Sequence, residues 1–150
     1  MLLTEKVAEE DGRIEKSDQA GRIERTQMTE IDFDKMQGLA PAIVQDAATG
    51  EVLMLGFMNA ESWQRTIQSG YATFFSRTRN KLWMKGETSG NRLKVVSAST
   101  DCDVDTLLLR VQVEGDGLVC HEGTRSCFTK QILDNGMAAD EKSSSPKVRS

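Results

Sequence analysis

Two short stretches of this 150-residue chain concentrate groups able to hold metal ions or move protons. In "DCDVD", Asp101, Asp103 and Asp105 alternate with Cys102 and Val104. In an extended chain, side chains at i, i+2 and i+4 share one face, which crowds three carboxylates and turns the thiol the other way. Such carboxylates repel by roughly 1 kcal/mol per pair at about 4 Å in water, and a bound cation reverses the sign. Hard oxygen ligands suit Mg²⁺ or Ca²⁺, with Mg²⁺ keeping waters and bridging to a substrate phosphate. A solvated acidic turn explains the same residues through local hydrogen bonding. The long apolar run that begins at Leu107 places the triplet at the entry to a buried strand.

The second stretch is "CHEGTRSC", which holds Cys120 and Cys127, with Cys102 eighteen positions before the first of them. Thiolates favour zinc among cytosolic metals. Three sulfurs leave a fourth position for water, which zinc acidifies toward neutrality for attack on an electrophilic carbon. His121, the chain's one histidine, is either a fourth ligand or a proton carrier beside that water, and the carrier role is expected because adjacent residues rarely both reach one metal. Against this stand three buried thiols acting as small hydrophobes and an ordinary surface histidine. The cysteine spacing matches no zinc-finger signature.

A third stretch, "SRTRNKLWMKGETSGN", is basic and rich in hydroxyls. From Phe74 to Lys94 there are six basic residues and one acidic residue, Glu87. Arg77, Arg79, Lys81 and Lys85, with Ser76, Thr88 and Ser89, are donors of the kind that grip phosphate. Gly86 and Gly90 let backbone N–H groups approach an anion, and Trp83 can stack on a base. The spacing is neither a Walker A nor a dinucleotide fingerprint. Positive charges guarding a sheet edge are the structural alternative.

Composition bounds the setting of this chemistry. The chain is 38% hydrophobic and 28% charged, ordinary for one globular domain. A net charge of −4 disfavours nonspecific nucleic-acid or anionic-membrane binding. No apolar run reaches membrane-spanning length and the N-terminus lacks a signal-peptide core, so a cytoplasmic address is expected. Three thiols cannot all pair within one chain, which agrees with that address.

The elements that must position these groups are short. Residues 1–28 are charged and apolar-poor, and are expected to form a flexible arm. "TEIDFDKMQGL" predicts a short helix capped by Thr29 and stopped near Gly38. "AIVQDA" and "EVLMLGFM" flank "TG" as a hairpin. Asn59 and Gly70 bracket one amphipathic helix with Trp63 and Ile67 four apart. "YATFFSR", "LWMKG", "LKVVSAST" and "DTLLLRVQVEG" read as strands. The expected fold is α+β: a mainly antiparallel β-sheet with one principal helix over 29–130, followed by a disordered tail over 131–150.

Taken in order, "PAIVQDAATGEVLMLGFMN", "SRTRNKLWMKGETSG", "DCDVD" and "CHEGTRSCF" resemble the phosphoribosyl-AMP cyclohydrolase family of histidine biosynthesis, from about Ile31 to Phe128. The resemblance implies a homodimer whose zinc takes Cys102 from one chain and Cys120 and Cys127 from the other. It implies Mg²⁺ on Asp101, Asp103 and Asp105. The implied reaction opens the adenine ring of N1-(5-phosphoribosyl)-AMP between N1 and C6, giving a formimino aminoimidazole carboxamide ribonucleotide. His121 and Glu87 are then the candidate acid/base groups. Arg77, Arg79, Trp83, Lys85, Thr88, Ser89 and Arg125 are the candidate substrate contacts. Many members carry histidine where this chain has Met84 and Asn91, so histidine roles there do not transfer. About twenty residues follow Phe128, which reads as a monofunctional chain without a pyrophosphohydrolase domain. Two readings from other classes use the same residues: a noncatalytic zinc-stabilised module binding nucleotides or RNA, and a thiol redox sensor.

Overall fold

Alternating burial through the middle of "GLAPAIVQDAATG" identifies the strand on which the rest is assembled. The computed structural model describes residues 29–136, so the expected arm over 1–28 and the tail from 137 onward lie outside the described residues. In strand β1 (Ala40–Asp46), Ala40, Ala42, Val44 and Asp46 are buried, and Pro41, Ile43 and Gln45 face outward, half-covered. Strand β2 (Val52–Met58) returns antiparallel to it, as the hairpin pattern predicts. The Asp46 carboxylate fixes the turn by accepting the Thr49 N–H at 2.8 Å and its hydroxyl at 2.9 Å.

Helix α1 (Ala60–Ser69) follows. Its start is a capping box: the Ser62 N–H donates to Asn59 Oδ1 at 2.8 Å, and the Asn59 N–H donates to Ser62 Oγ at 2.9 Å. Gly70 closes it in the left-handed conformation, φ 84°. Its buried face differs from the expected apolar one. Ser62 and Thr66 are the buried residues, Trp63 is half-covered, and Ile67 is 56% exposed. The reason lies in the next strand, β3 (Thr73–Ser76). Thr66 Oγ1 accepts the Thr73 N–H at 3.0 Å and lies 3.2 Å from the Thr73 carbonyl, so a buried hydroxyl of the helix serves the β3 backbone.

Strand β3 pairs with β4 (Lys81–Met84) as a separate antiparallel hairpin. Its Phe74 ring presses against β2 at Gly56, where a Cβ would lie 2.7 Å from Phe74 Cδ1. Strands β5 (Leu93–Thr100) and β6 (Leu107–Val113) complete the main sheet in the order β2–β1–β6–β5. The mixed α+β architecture, with one α-helix among the described residues, agrees with the expectation. The sheet is mainly antiparallel, but its central pair, β1 and β6, runs parallel. The core gathers Val44, Leu53, Met58, Phe74, Leu93, Leu107, Leu109 and Val111. On the opposite face, Leu55, Ile43 and Leu108 lie side by side across three strands, with Leu55 45% exposed.

The expected helix after Thr29 is instead one 3-10 turn, Phe33–Met36, capped by Asp32. Asp32 Oδ1 accepts the Asp34 N–H at 3.0 Å, a role that needs a side chain one turn nearer than Thr29. Gln37 and Gly38, both with positive φ, end it. Residues 131–136 carry no regular element. Among the described residues, no helix is long and apolar enough to cross a membrane.

Candidate metal and substrate site

The β5–β6 connection carries the three aspartates, and it is a turn, not extended chain. The Val104 N–H donates to the Asp101 carbonyl at 3.1 Å, and Val104 adopts φ 55°. A β-branched residue there is strained by about 1–3 kcal/mol. Asp101 Oδ1 offsets this by accepting the N–H groups of Asp105 at 3.1 Å and Thr106 at 3.3 Å. Desolvation pushes the Asp101 carboxyl up, but those N–H donors outweigh it and hold the group below its ordinary value. The turn still gathers the triplet, by curvature instead of by strand alternation: single carboxylate oxygens of Asp101, Asp103 and Asp105 lie within 4.8 Å of one another.

The same curvature overturns the expectation that Cys102 turns away from the acids. Its Sγ lies 3.6 Å from Asp103 Oδ1. The Asp103 charge, with that hydrogen bond, pushes the exposed thiol above its ordinary value. The turn is also tethered from a distance the sequence does not reveal. Lys35 Nζ donates to the Asp103 carbonyl at 2.5 Å, and the Asp32 N–H donates to the Val104 carbonyl at 2.7 Å. Lys35 carries no local signal, since 68 residues separate it from its partner.

Cys120 and Cys127 occupy a tight loop after β6. The Cys120 N–H donates to the Thr124 carbonyl at 3.0 Å, and the Cys127 N–H donates to the Leu53 carbonyl of β2 at 2.8 Å. The Glu122 N–H, 3.5 Å from Cys120 Sγ, is the main cause that lowers this thiol. Burial pushes Cys127 up, as does the neighbouring Cys120. The two thiols therefore sense each other, while Cys102 stands apart. It follows β5, and Cys127 is hydrogen-bonded to β2, the opposite outer strand. Three strand spacings alone put about 14 Å between them. Within one chain the three sulfurs do not converge. His121, beside Cys120, is exposed.

The basic stretch supplies the other wall. Lys85 is near enough to Cys127 for its charge to favour the thiolate. Glu87 folds back so that its Oε1 accepts the Met84 N–H at 3.2 Å. Thr88 and Ser89 are exposed on the loop between β4 and β5.

The family model for phosphoribosyl-AMP cyclohydrolase matches residues 54–129, which include the basic stretch, the aspartate turn and the thiol loop. The phosphoribosyl-AMP cyclohydrolase of Desulfatibacillum aliphaticivorans is 58% identical over 105 residues, covering 70% of this chain and 83% of that protein. The chain belongs to the phosphoribosyl-AMP cyclohydrolase family. The phosphoribosyl-AMP cyclohydrolase of Solibacter usitatus is 53% identical over 102 residues, 68% of this chain and 80% of its own. The histidine biosynthesis bifunctional protein of Escherichia coli is 58% identical over 102 residues, and the match spans 49% of that longer protein.

In this member of the phosphoribosyl-AMP cyclohydrolase family, three expected substrate contacts are placed differently from a single phosphate patch. Arg77 and Arg79 sit at the β3–β4 tip, and Lys85 at the other end of β4. Four residues of strand separate them by roughly 13 Å. The Arg77 guanidinium lies 4.1 Å over the Phe57 ring. Trp83 is half-buried and packs on Phe74 with centroids 5.2 Å apart, so part of its surface belongs to the core. Arg125 is committed to the scaffold: NH2 meets Asp46 Oδ1 at 2.9 Å, Nε meets Glu51 at 3.0 Å, and NH1 donates to the Gly117 carbonyl at 3.2 Å. The two carboxylates lie 74 or more residues away, and nothing local in "GTRSC" announces them.

Proposed function

We propose that this protein is a phosphoribosyl-AMP cyclohydrolase of histidine biosynthesis, adding water across N1–C6 of the adenine ring of N1-(5-phosphoribosyl)-AMP. The observation that carries the reading is 58% identity across 83% of a phosphoribosyl-AMP cyclohydrolase. N1-ribosylation leaves C6 electron-poor. The water oxygen becomes the carboxamide oxygen, and N1 leaves with a proton.

The donor set fits zinc. Cys120 and Cys127 neighbour each other, and the missing third sulfur is Cys102 of a second chain. A homodimer supplies it twice, once at each of two symmetric sites. The apolar row of Leu55, Ile43 and Leu108 offers the kind of surface a second copy buries. Zinc held by such sulfurs supplies the Lewis acidity that makes water a competent nucleophile near neutral pH.

The chain's own residues do the rest. His121, adjacent to Cys120 and open to solvent, takes a proton from water and returns one to the departing N1, with Glu87 as the second candidate. Asp101, Asp103 and Asp105 would hold Mg²⁺, which would supply positive charge for a substrate phosphate. Lys85, Thr88 and Ser89 grip one phosphate, and Arg77 and Arg79 the other, at the far end of β4. Trp83 borders the base. Arg125 supports the loop from behind through Asp46.

Incubating the zinc- and magnesium-loaded full chain with phosphoribosyl-AMP tests this. Loss of the purine spectrum that disappears on zinc removal is the expected result. A persistent purine spectrum under those conditions rejects the reading.

A further inference from the structure

Asn91 ends the glycine loop between β4 and β5 and has no proton chemistry to offer near neutral pH. Its side chain is nonetheless hydrogen-bonded through both its oxygen and its nitrogen. Oδ1 accepts the Asp116 N–H at 3.0 Å, and Nδ2 donates to the Leu118 carbonyl at 3.0 Å. Two contacts two residues apart fix both the distance and the rotation of the segment they hold. Leu118 precedes Cys120 by two positions, so the clamped segment is the lead-in to the thiol loop.

The surroundings are shaped around this amide. At Gly115, φ 74°, a Cβ would lie 2.0 Å from Asn91 Oδ1, so only glycine admits the side chain. At Gly86, φ 82°, a Cβ would lie 2.3 Å from the Asn91 carbonyl carbon. The Gly90 N–H donates to the Gly86 carbonyl at 2.8 Å, and the Asn91 N–H to Ser89 Oγ at 3.1 Å, so the loop closes on itself at Asn91. Thr88 and Ser89 sit immediately before it, and Lys85, at the start of the loop, acts on Cys127.

We propose that Asn91 is a positioning residue for the ring-opening reaction, setting the register between the substrate-gripping loop at 85–90 and the thiol loop at 120–127. This rests on the function proposed above. The thiol loop is held against β2 on its far side, and Asn91 ties its lead-in to the glycine loop at two points. Misplacement of a reacting group by 1 Å can cost about 100-fold in rate, so a broken register is read in turnover before it is read in stability.

The test uses full-length N91A and N91D. N91A removes both contacts. N91D keeps an acceptor for the Asp116 N–H and turns a second oxygen toward the Leu118 carbonyl. Cobalt(II) replaces zinc as a probe, because its sulfur charge-transfer absorption reports the thiol loop independently of turnover. The expected result is a folded protein with the wild-type cobalt spectrum and a kcat/KM lowered at least about tenfold, more in N91D than in N91A. Wild-type kcat/KM in either folded variant overturns the proposal. Loss of the cobalt spectrum, or failure of both variants to fold, assigns Asn91 to the scaffold and also overturns it. If the wild type itself leaves phosphoribosyl-AMP intact, the functional reading fails instead, and the two failures stay distinct.

Discussion

Single residues set the electrostatics around the site through partners both near and far along the chain. Asp46 is the clearest case. The Thr49 N–H lowers its carboxyl most, burial opposes this, and the Thr49 hydroxyl and Arg125 add to the lowering. A carboxyl whose folded value lies below its unfolded value, about 3.9, stabilises the fold above that pH and ceases to as pH falls through the folded value. Asp46→Asn keeps an acceptor for Thr49 and loses the charge facing Arg125. At pH 7 it is expected to cost about 1–3 kcal/mol in urea unfolding. The gap from wild type should stay level above about pH 5 and narrow below about pH 4. A gap independent of pH would remove the ion pair from the explanation. The strain at Val104 belongs to the same scale: a left-handed valine is tolerated because the Asp101 carboxylate and the Asp32 N–H hold the turn around it.

Among the elements, the contact between β2 and β3 sets how the small hairpin sits on the sheet. Gly56 has no positive φ to explain it; the reason is the Phe74 ring. Gly56→Ala is expected to lower stability by about 1–3 kcal/mol through overpacking. Because β3 leads through β4 to the glycine loop, KM for phosphoribosyl-AMP should rise in the same variant. Urea unfolding and steady-state kinetics on one preparation check both, and unchanged stability would show that Phe74 yields freely. The helix teaches a related point. Its caps are local and legible, whereas its inward face is hydroxylic because β3 needs hydrogen-bond partners there.

For the whole molecule, the decisive question is how three sulfurs meet. The proposed dimer makes a sharp prediction for mixed chains. Cys102→Ser and Cys127→Ser homodimers should each lack zinc at both sites and turn over negligibly. A refolded equal mixture forms hybrids in half of its dimers, and each hybrid carries one intact set of sulfurs. Roughly a quarter of wild-type turnover should return. No recovery, with hybrids demonstrated by native mass spectrometry, would refute ligation across two chains.

The sequence by itself determined what is local or chemical. It specified the hairpin around Gly50, the caps Asn59 and Gly70, the strand runs, and the donor types at Asp101, Asp103, Asp105, Cys102, Cys120 and Cys127. These follow from side-chain periodicity and ligand chemistry, which act over a few residues. Tertiary structure decided the rest. It curved the aspartate turn, brought Cys102 beside Asp103, split the basic stretch between the ends of β4, tied Arg125 to Asp46, and gave Asn91 its clamp. Each of those depends on which distant strand becomes a neighbour, and pairing between residues tens of positions apart leaves no periodic trace in the chain.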